Sequence, residues 1–145
     1  MDVVEASTRS VMMSGIRGKN TRPEILLRKY LHARGFRFRL YVKDLPGTPD
    51  IVLPRYRLCI FVHGCFWHRH PDCPYAATPK SNIDFWLQKF AANTARDEEA
   101  TILLDAAGWR VFLIWECGLK KAQASALDWL PASIRGTTTF LSWPD

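Results

Sequence analysis

Residues 63 to 73 read His63-Gly64-Cys65-Phe66-Trp67-His68-Arg69-His70-Pro71-Asp72-Cys73, and this stretch restricts the possible folds more than any other. Three histidines, two cysteines and two aromatics within eleven residues make neither a core strand nor an amphipathic helix. Cys65, His70 and Cys73 have the spacing of a loop that folds back on one metal ion, with Cys117 available downstream as a fourth ligand. Zinc takes such a set of three cysteines and one histidine tetrahedrally, through thiolates and a neutral imidazole. His68 is the rival of His70 for the imidazole position. Four protein ligands leave no open position for water, so the expected metal is structural and the chemistry falls to other residues. His63, Phe66, Trp67 and His68 are then free for that work.

With 145 residues, 48% of them hydrophobic, the chain is expected to form one domain over 1–145 with a buried core. Twenty Lys and Arg against 14 Asp and Glu give a net charge of +6, which suits a polyanion such as nucleic acid without identifying it. No apolar run approaches the ~20 residues of a membrane span, and no charged-then-apolar leader is present, which predicts a cytoplasmic protein without membrane association. In a reducing compartment the cysteines are expected as thiols or metal ligands rather than disulfides. Cys59, inside Leu58-Cys59-Ile60-Phe61-Val62, reads as a small buried hydrophobe.

Along the chain, Thr8 to Ile16 has the marks of a short helix ending before a glycine, within an arm (1–20) that carries Arg9, Arg17 and Lys19. This arm is either a solvated basic terminus or a segment lying against phosphates. Thr21-Arg22-Pro23-Glu24 is a capping box, and Ile25, Leu26, Leu27, Tyr30 and Leu31 follow at helical spacing up to Gly35. Glu24 serves as the cap; a catalytic or metal-adjacent role is its other reading. From Phe36 the period changes to two, with Phe36, Phe38, Leu40 and Val42 predicting a half-buried strand with a basic outer face. The loop Leu45-Pro46-Gly47-Thr48-Pro49 then delivers Asp50 at the start of Ile51-Val52-Leu53, and a turn leads into the apolar strand 58–62. A helix followed by a three-strand meander results. Asp50 at the mouth of such a strand is a hard oxygen ligand suited to Mg²⁺.

Ser81 to Asp84 opens a long helical tract, with Ile83, Trp86, Leu87 and Phe90 as one apolar stripe and Ile102, Leu103 and Leu104 as a second. Lys89, Asn93 and Arg96 are polar positions on this tract, either solvated or in contact with phosphates and base edges. Trp109 to Trp115 is a strand of central type that leads to Cys117. An alanine-rich helical piece is expected through Trp129, broken by Pro131, and in the tail 131–145 the stretch Gly136-Thr137-Thr138-Thr139-Phe140 adds an edge strand or stays loose.

Taken together, Pro46-Gly47-Thr48-Pro49-Asp50, the run 63–68, Phe85-Trp86, Lys89, Asn93, Arg96-Asp97, Gly108-Trp109-Arg110-Val111 and Trp115-Glu116-Cys117 resemble the very short patch repair (Vsr) DNA mismatch endonuclease family, over about Thr8 to Trp129. The resemblance implies a mixed α/β fold related to type II restriction enzymes, with a mixed central sheet flanked by helices and one structural zinc. It implies nicking of double-stranded DNA beside a thymine mispaired with guanine, the lesion left when 5-methylcytosine deaminates. On this likeness Asp50 binds Mg²⁺, His68 is the base that activates water, His63 assists at the same phosphate, and Glu24 joins the catalytic set. The strand Cys59-Ile60-Phe61-Val62 lacks the Glu-x-Lys usual in restriction enzymes, so histidine replaces the lysine and the backbone carbonyl of Val62 completes the Mg²⁺ site. Phe66, Trp67 and Trp86 are implied as wedges in the base stack, Met13 as an apolar residue reaching the opposite groove, and Lys89 and Asn93 as DNA contacts. Asp97 is a candidate to orient His68.

Two departures are visible: Val62 stands where the family can have threonine, and Pro71 and Asp72 separate His70 from Cys73. Mismatch-repair proteins are the implied partners, and a lesion without two-fold symmetry implies a monomer. The rival readings are a nuclease of the same fold with another DNA target, and a zinc-stabilised DNA-binding module without catalysis.

Overall fold

The computed structural model describes residues 20–120 and 124–144. The predicted helix over 8–16, the basic residues before Asn20 and Met13 lie outside the described residues. Helix α1 (Arg22–Ala33) begins at the predicted place, with the Thr21 and Glu24 side chains and backbone N–H groups satisfying each other reciprocally and a proline in the first turn. It is followed by β1 (Arg39–Leu40), β2 (Ile51–Leu53), β3 (Leu58–His63), the one-turn helix α2 (Cys65–His68), the long α3 (Ile83–Ala106), β4 (Arg110–Trp115), α4 (Glu116–Lys120), α5 (Leu130–Arg135) and β5 (Phe140–Trp143).

The five strands form one sheet in sequence order. β1, β2 and β3 are an antiparallel meander, and β4 and β5 add to it in parallel, with Ile60 opposite Phe112 and His63 opposite Trp115. A parallel β3–β4 pair requires a crossover, and α3 supplies it. The side-chain alternation of β3 and β4 then divides the core. Leu58, Ile60, Phe112 and Ile114 pack with Leu27 and Leu31 of α1, Leu119 of α4 and Leu130 and Ile134 of α5. Cys59, Phe61 and Val111 pack with Leu104 of α3 on the opposite face. Each fully buried side chain of this kind contributes about 1.5–3 kcal/mol of transfer free energy. Cys59 is a buried thiol among apolar neighbours, as its surroundings in the sequence suggest. Among the described residues no helix is long and apolar enough to cross a membrane.

Four sequence expectations change. The strand predicted over 36–42 contracts to Arg39–Leu40, with Phe36 buried but Leu40 exposed. Its ladder against β2 ends where Pro49 offers no N–H, and Tyr41 leaves the strand with φ at +48°. The apolar stripes of α3 are mostly exposed: Phe90, Ala100 and Leu104 are buried, while Ile83, Leu87, Ile102 and Leu103 are not. One sheet face is its packing surface, so a narrow line of contacts suffices. Pro131 opens a helix where a break was expected, because a proline lacking N–H is at no disadvantage in a first turn. The preceding alanine-rich piece is a single tight turn at Ala124–Leu127. Of the two expectations for the tail an edge strand is found, β5, but over Phe140–Trp143, sharing only Phe140 with the stretch expected.

Arg110 locks this C-terminal half to the sheet. Its guanidinium donates to the carbonyls of Ser133 at 2.7 Å and Ile134 at 2.8 Å, satisfying the last turn of α5, and to Thr138 at 2.8 Å. Arg110→Ala leaves these carbonyls without their charged donor. The variant is expected to lose about 2–3 kcal/mol in urea unfolding, with the slope of the transition unchanged.

Candidate active site

A cavity of about 550 Å³ opens at the end of the meander, where β2, β3, α1, α2 and α3 meet. Its lining includes Glu24, Asp50, Val62, His63, Phe66, Trp67, His68, Lys89, Asn93 and Asp97. Most of the sequence candidates therefore converge, although they come from five separate elements. Gly47 makes this possible by approaching α3 so closely that a Cβ there would sit 2.7 Å from Ala100 Cβ, and its φ of +78° favours glycine. The loop that ends in Asp50 is thereby pressed onto α3.

Two carboxylates form the acidic side of the cavity. Asp50 Oδ2 accepts the N–H of Val62 at 2.7 Å. Burial pushes the Asp50 carboxyl up to about 8, and the neighbouring Glu24 carboxylate pushes it the same way, against the lowering effect of the Val62 N–H and Arg28. Glu24, 2% exposed, caps α1 as expected and also faces Asp50. Two carboxylates confined in this way share a proton or hold a cation. Their hard oxygens fit a divalent ion of the Mg²⁺ class.

The basic side is built from His63 and His68. Their rings stack at 4.0 Å with planes 7° apart, and Trp115 meets His63 edge-on at 5.1 Å. Burial holds the His63 imidazole well below its ordinary range, and the adjacent His68 adds to this, so His63 is neutral. His68 Nδ1 lies 2.6 Å from Asp97 Oδ2. A carboxylate only accepts, so Nδ1 carries a proton, and the neutral form of this ring has its lone pair on Nε2. Ligand atoms of His63, His68 and Asp97 are within 4.8 Å of one another. Imidazoles bind metals in their ring planes, however, and two parallel stacked planes do not converge on one ion. The assembly is better suited to moving a proton.

A separate cluster lies behind the cavity. Ligand atoms of Cys65, His70, Cys73 and Cys117 fall within 4.8 Å of one another, with His70 Nδ1 at 3.4 Å from the Cys117 sulfur and 3.8 Å from that of Cys65. Here His70, not His68, is the histidine beside the sulfurs. His70 Nε2 lies 2.9 Å from the Pro144 carbonyl, to which it donates, leaving Nδ1 free to bind a metal. The ring is stacked on Trp115 at 4.3 Å. Burial raises the Cys65 and Cys117 thiols, so thiolates in this site require a bound cation to hold them. The donor set fits a tetrahedral metal of the zinc type.

Phe66 and Trp67 line the cavity, whereas Trp86 lies outside its lining and packs against both, with Phe66 at 5.1 Å from Trp67 and 5.5 Å from Trp86, and Trp67 at 5.8 Å from Trp86. Buried Phe90 supports Phe66 edge-on at 5.2 Å. Asn93 donates to the Trp67 carbonyl at 3.3 Å, and Lys89 is exposed at the cavity mouth. Three participants were not singled out as site residues from sequence. Glu116 accepts the Cys65 N–H at 3.2 Å and so fixes the start of α2, while Tyr41 and Arg28 contact Glu24. Only Glu116 had a signal, its place in Trp115-Glu116-Cys117.

Residues 1–74 match the family described as DNA mismatch endonuclease Vsr. The chain is similar to the type II nicking enzyme V.XorIIP of Xanthomonas oryzae pv. oryzae, with 52% identity over 81% of this chain and 86% of that protein. It is 45% identical to the type II nicking enzyme V.NmeAIP of Neisseria meningitidis, over 82% of this chain and 84% of the relative. It is 41% identical to the DNA mismatch endonuclease Vsr of Escherichia coli, over 82% of this chain and 76% of the relative.

Two outcomes follow from the geometry. Cys117→Ser is expected to lower the metal content of the purified protein, read by elemental analysis, together with its melting temperature; unchanged metal would remove Cys117 from the cluster. Asp50→Asn relieves a buried charge that faces Glu24, and without added divalent ions it should raise the melting temperature at pH 8 by roughly 2–5 °C.

Proposed function

The chain belongs to the Vsr family of DNA mismatch endonucleases, and from that premise we propose that it nicks one strand of duplex DNA beside a T·G mismatch in a Mg²⁺-dependent reaction. The observation that carries this reading is the His68–Asp97 pair opening into the same cavity as the Asp50 carboxylate. A proton acceptor and a cation site thus face one space of a size to admit a phosphodiester.

Asp50 and the backbone carbonyl of Val62 would hold Mg²⁺, with Glu24 beside them. The ion supplies positive charge against the phosphate oxygens and lowers the pKa of bound water. Hydrolysis needs a water opposite the leaving oxygen and a group to take its proton. His68 takes that proton on Nε2, while Asp97 holds the tautomer and stabilises the imidazolium that results. His63 stays neutral and buried beneath His68, keeping that ring in place and offering a hydrogen bond at the phosphate. Exposed Lys89 would neutralise backbone charge, and Asn93 and Met13 would contact the DNA.

Phe66, Trp67 and Trp86 act in this reading as a rigid wedge against the base stack. Unstacking costs a few kcal/mol per step and least at a mispaired step, so a wedge selects for a weakened site. Zinc in the Cys65, His70, Cys73, Cys117 cluster would fix the wedge and His68 together. A one-sided cavity and a lesion without two-fold symmetry support action as a monomer on one strand.

Three labelled duplexes that differ only at one position, fully paired, T·G or carrying another mismatch, test the proposal on a denaturing gel with and without Mg²⁺. A Mg²⁺-dependent nick in the thymine strand of the T·G duplex alone is expected. Asp50→Ala should reduce it by on the order of 10³-fold, about 4 kcal/mol of barrier, while binding persists. Equal cutting of all three duplexes would instead indicate a nuclease with another target, and binding without cutting would indicate a DNA-binding module.

A further inference from the structure

Three donors converge on a single oxygen of Glu24. Oε2 accepts from the Thr21 N–H at 3.2 Å, the Tyr41 hydroxyl at 2.6 Å and an Arg28 N–H at 3.4 Å. The Thr21 contact is the capping box and suffices to start α1. The other two go beyond the cap: Arg28 is also the i,i+4 ion-pair partner of Glu24 within α1, and Tyr41 comes from outside the helix. Tyr41 also accepts from Arg28, and from the Asn20 N–H at 2.6 Å, so its hydroxyl uses its one donor and both lone pairs. Arg28 closes the ring by donating to the Asn20 side chain at 2.9 Å, with its guanidinium 5.4 Å from the Tyr41 ring centre.

Delivering Tyr41 to this position has a cost. Its φ of +48° is unfavourable for a residue with a Cβ, and the turn cuts short the pairing of β1. Pinning one oxygen in this way fixes the carboxylate plane and reserves Oε1, which meets none of these three donors. Arg28 also acts electrostatically on Asp50 across the same space.

We propose that Tyr41 and Arg28 are positioning residues that clamp Oε2 of Glu24, so that Glu24 and Asp50 form a preorganised dicarboxylate seat for the divalent cation. This rests on the metal-dependent reading of the cavity given above. Neither residue touches DNA or the reacting atoms in the proposal; both act through Glu24. A fixed pair of oxygens loses less conformational freedom on binding a cation than two mobile carboxylates, and the benefit is read as affinity.

Mn²⁺ is the probe, titrated into the full chain without DNA and followed by the electron paramagnetic resonance of free Mn²⁺, with melting curves in parallel. Tyr41→Phe, which removes one oxygen atom, and Arg28→Gln are each expected to weaken Mn²⁺ binding about 10-fold. In a Glu24→Gln background the same substitutions should have no further effect, since their target is gone. In nicking assays kcat at limiting Mg²⁺ should fall while KM for the duplex stays constant. Unchanged Mn²⁺ affinity in Tyr41→Phe, or an equal loss with and without Glu24, would overturn the clamp. So would an absence of Mn²⁺ binding by the unsubstituted chain. Coupled Mn²⁺ losses without nicking of the T·G duplex would sustain the clamp and reject the proposed reaction; nicking without the coupling would do the reverse.

Discussion

The parallel register between β3 and β4 is the constraint on which the site depends. It sets His63 opposite Trp115 at the C-terminal ends of both strands. From there the two chains diverge immediately, one into α2 and the other into α4, so Cys65 and Cys117 start their turns side by side. Trp115 lies between the two centres, edge-on to His63 and stacked on His70. A slip of one residue would send the Cys59 and His63 side of β3 to the wrong face of the sheet and separate both clusters. The buried alternation of Leu58, Ile60, Phe112 and Ile114 against that of Cys59, Phe61 and Val111 opposes such a slip.

Helix α2 is too short to persist on its own, because nucleating one turn fixes several residues for a single hydrogen bond. Its order is imposed from outside. Glu116 holds its first N–H, the cysteine–histidine cluster anchors Cys65 and His70 at either end, and Arg69 lays its guanidinium 4.0 Å from the Phe90 ring centre while bonding Thr78 at 2.9 Å. The three residues between Cys65 and Arg69 are Phe66, Trp67 and His68. Rigidity that the sequence of this turn does not possess is therefore lent by the cysteine–histidine cluster and by α3.

Much of this was legible in the sequence where a local rule governs. The capping box at Thr21, the long helix from residue 83, the two apolar strands and the cysteine–histidine spacing each follow from contacts within a few residues. What escaped was set by distant partners. The strand at 36–42 alternates correctly yet is cut short, since as the edge strand it pairs only with β2, three residues long, and Tyr41 is drawn away to Glu24. The exposed Ile102 and Leu103 show that apolar residues on α3 exceed the sheet available to cover them. The spacing put His70 with the sulfurs ahead of its rival His68, and distant residues hold the two rings in these places, the Pro144 carbonyl at His70 and Asp97 at His68. Tyr41 carried no signal, because its function lies in a hydroxyl and not in its place in a pattern.

Phe66, Trp67 and His68 occupy one continuous turn bracketed by Cys65 and His70. In the proposed assignments, the groups that test the base stack and the group that takes the proton share one mechanical support. Loss of metal, oxidation of a sulfur or misfolding of the loop would disable both functions at once. Damage would therefore not leave a protein that still cleaves but no longer discriminates, the most hazardous state for an enzyme acting on a genome. Fidelity of this kind is a property of the failure mode: the loop is built so that its ordinary accidents end in inactivity.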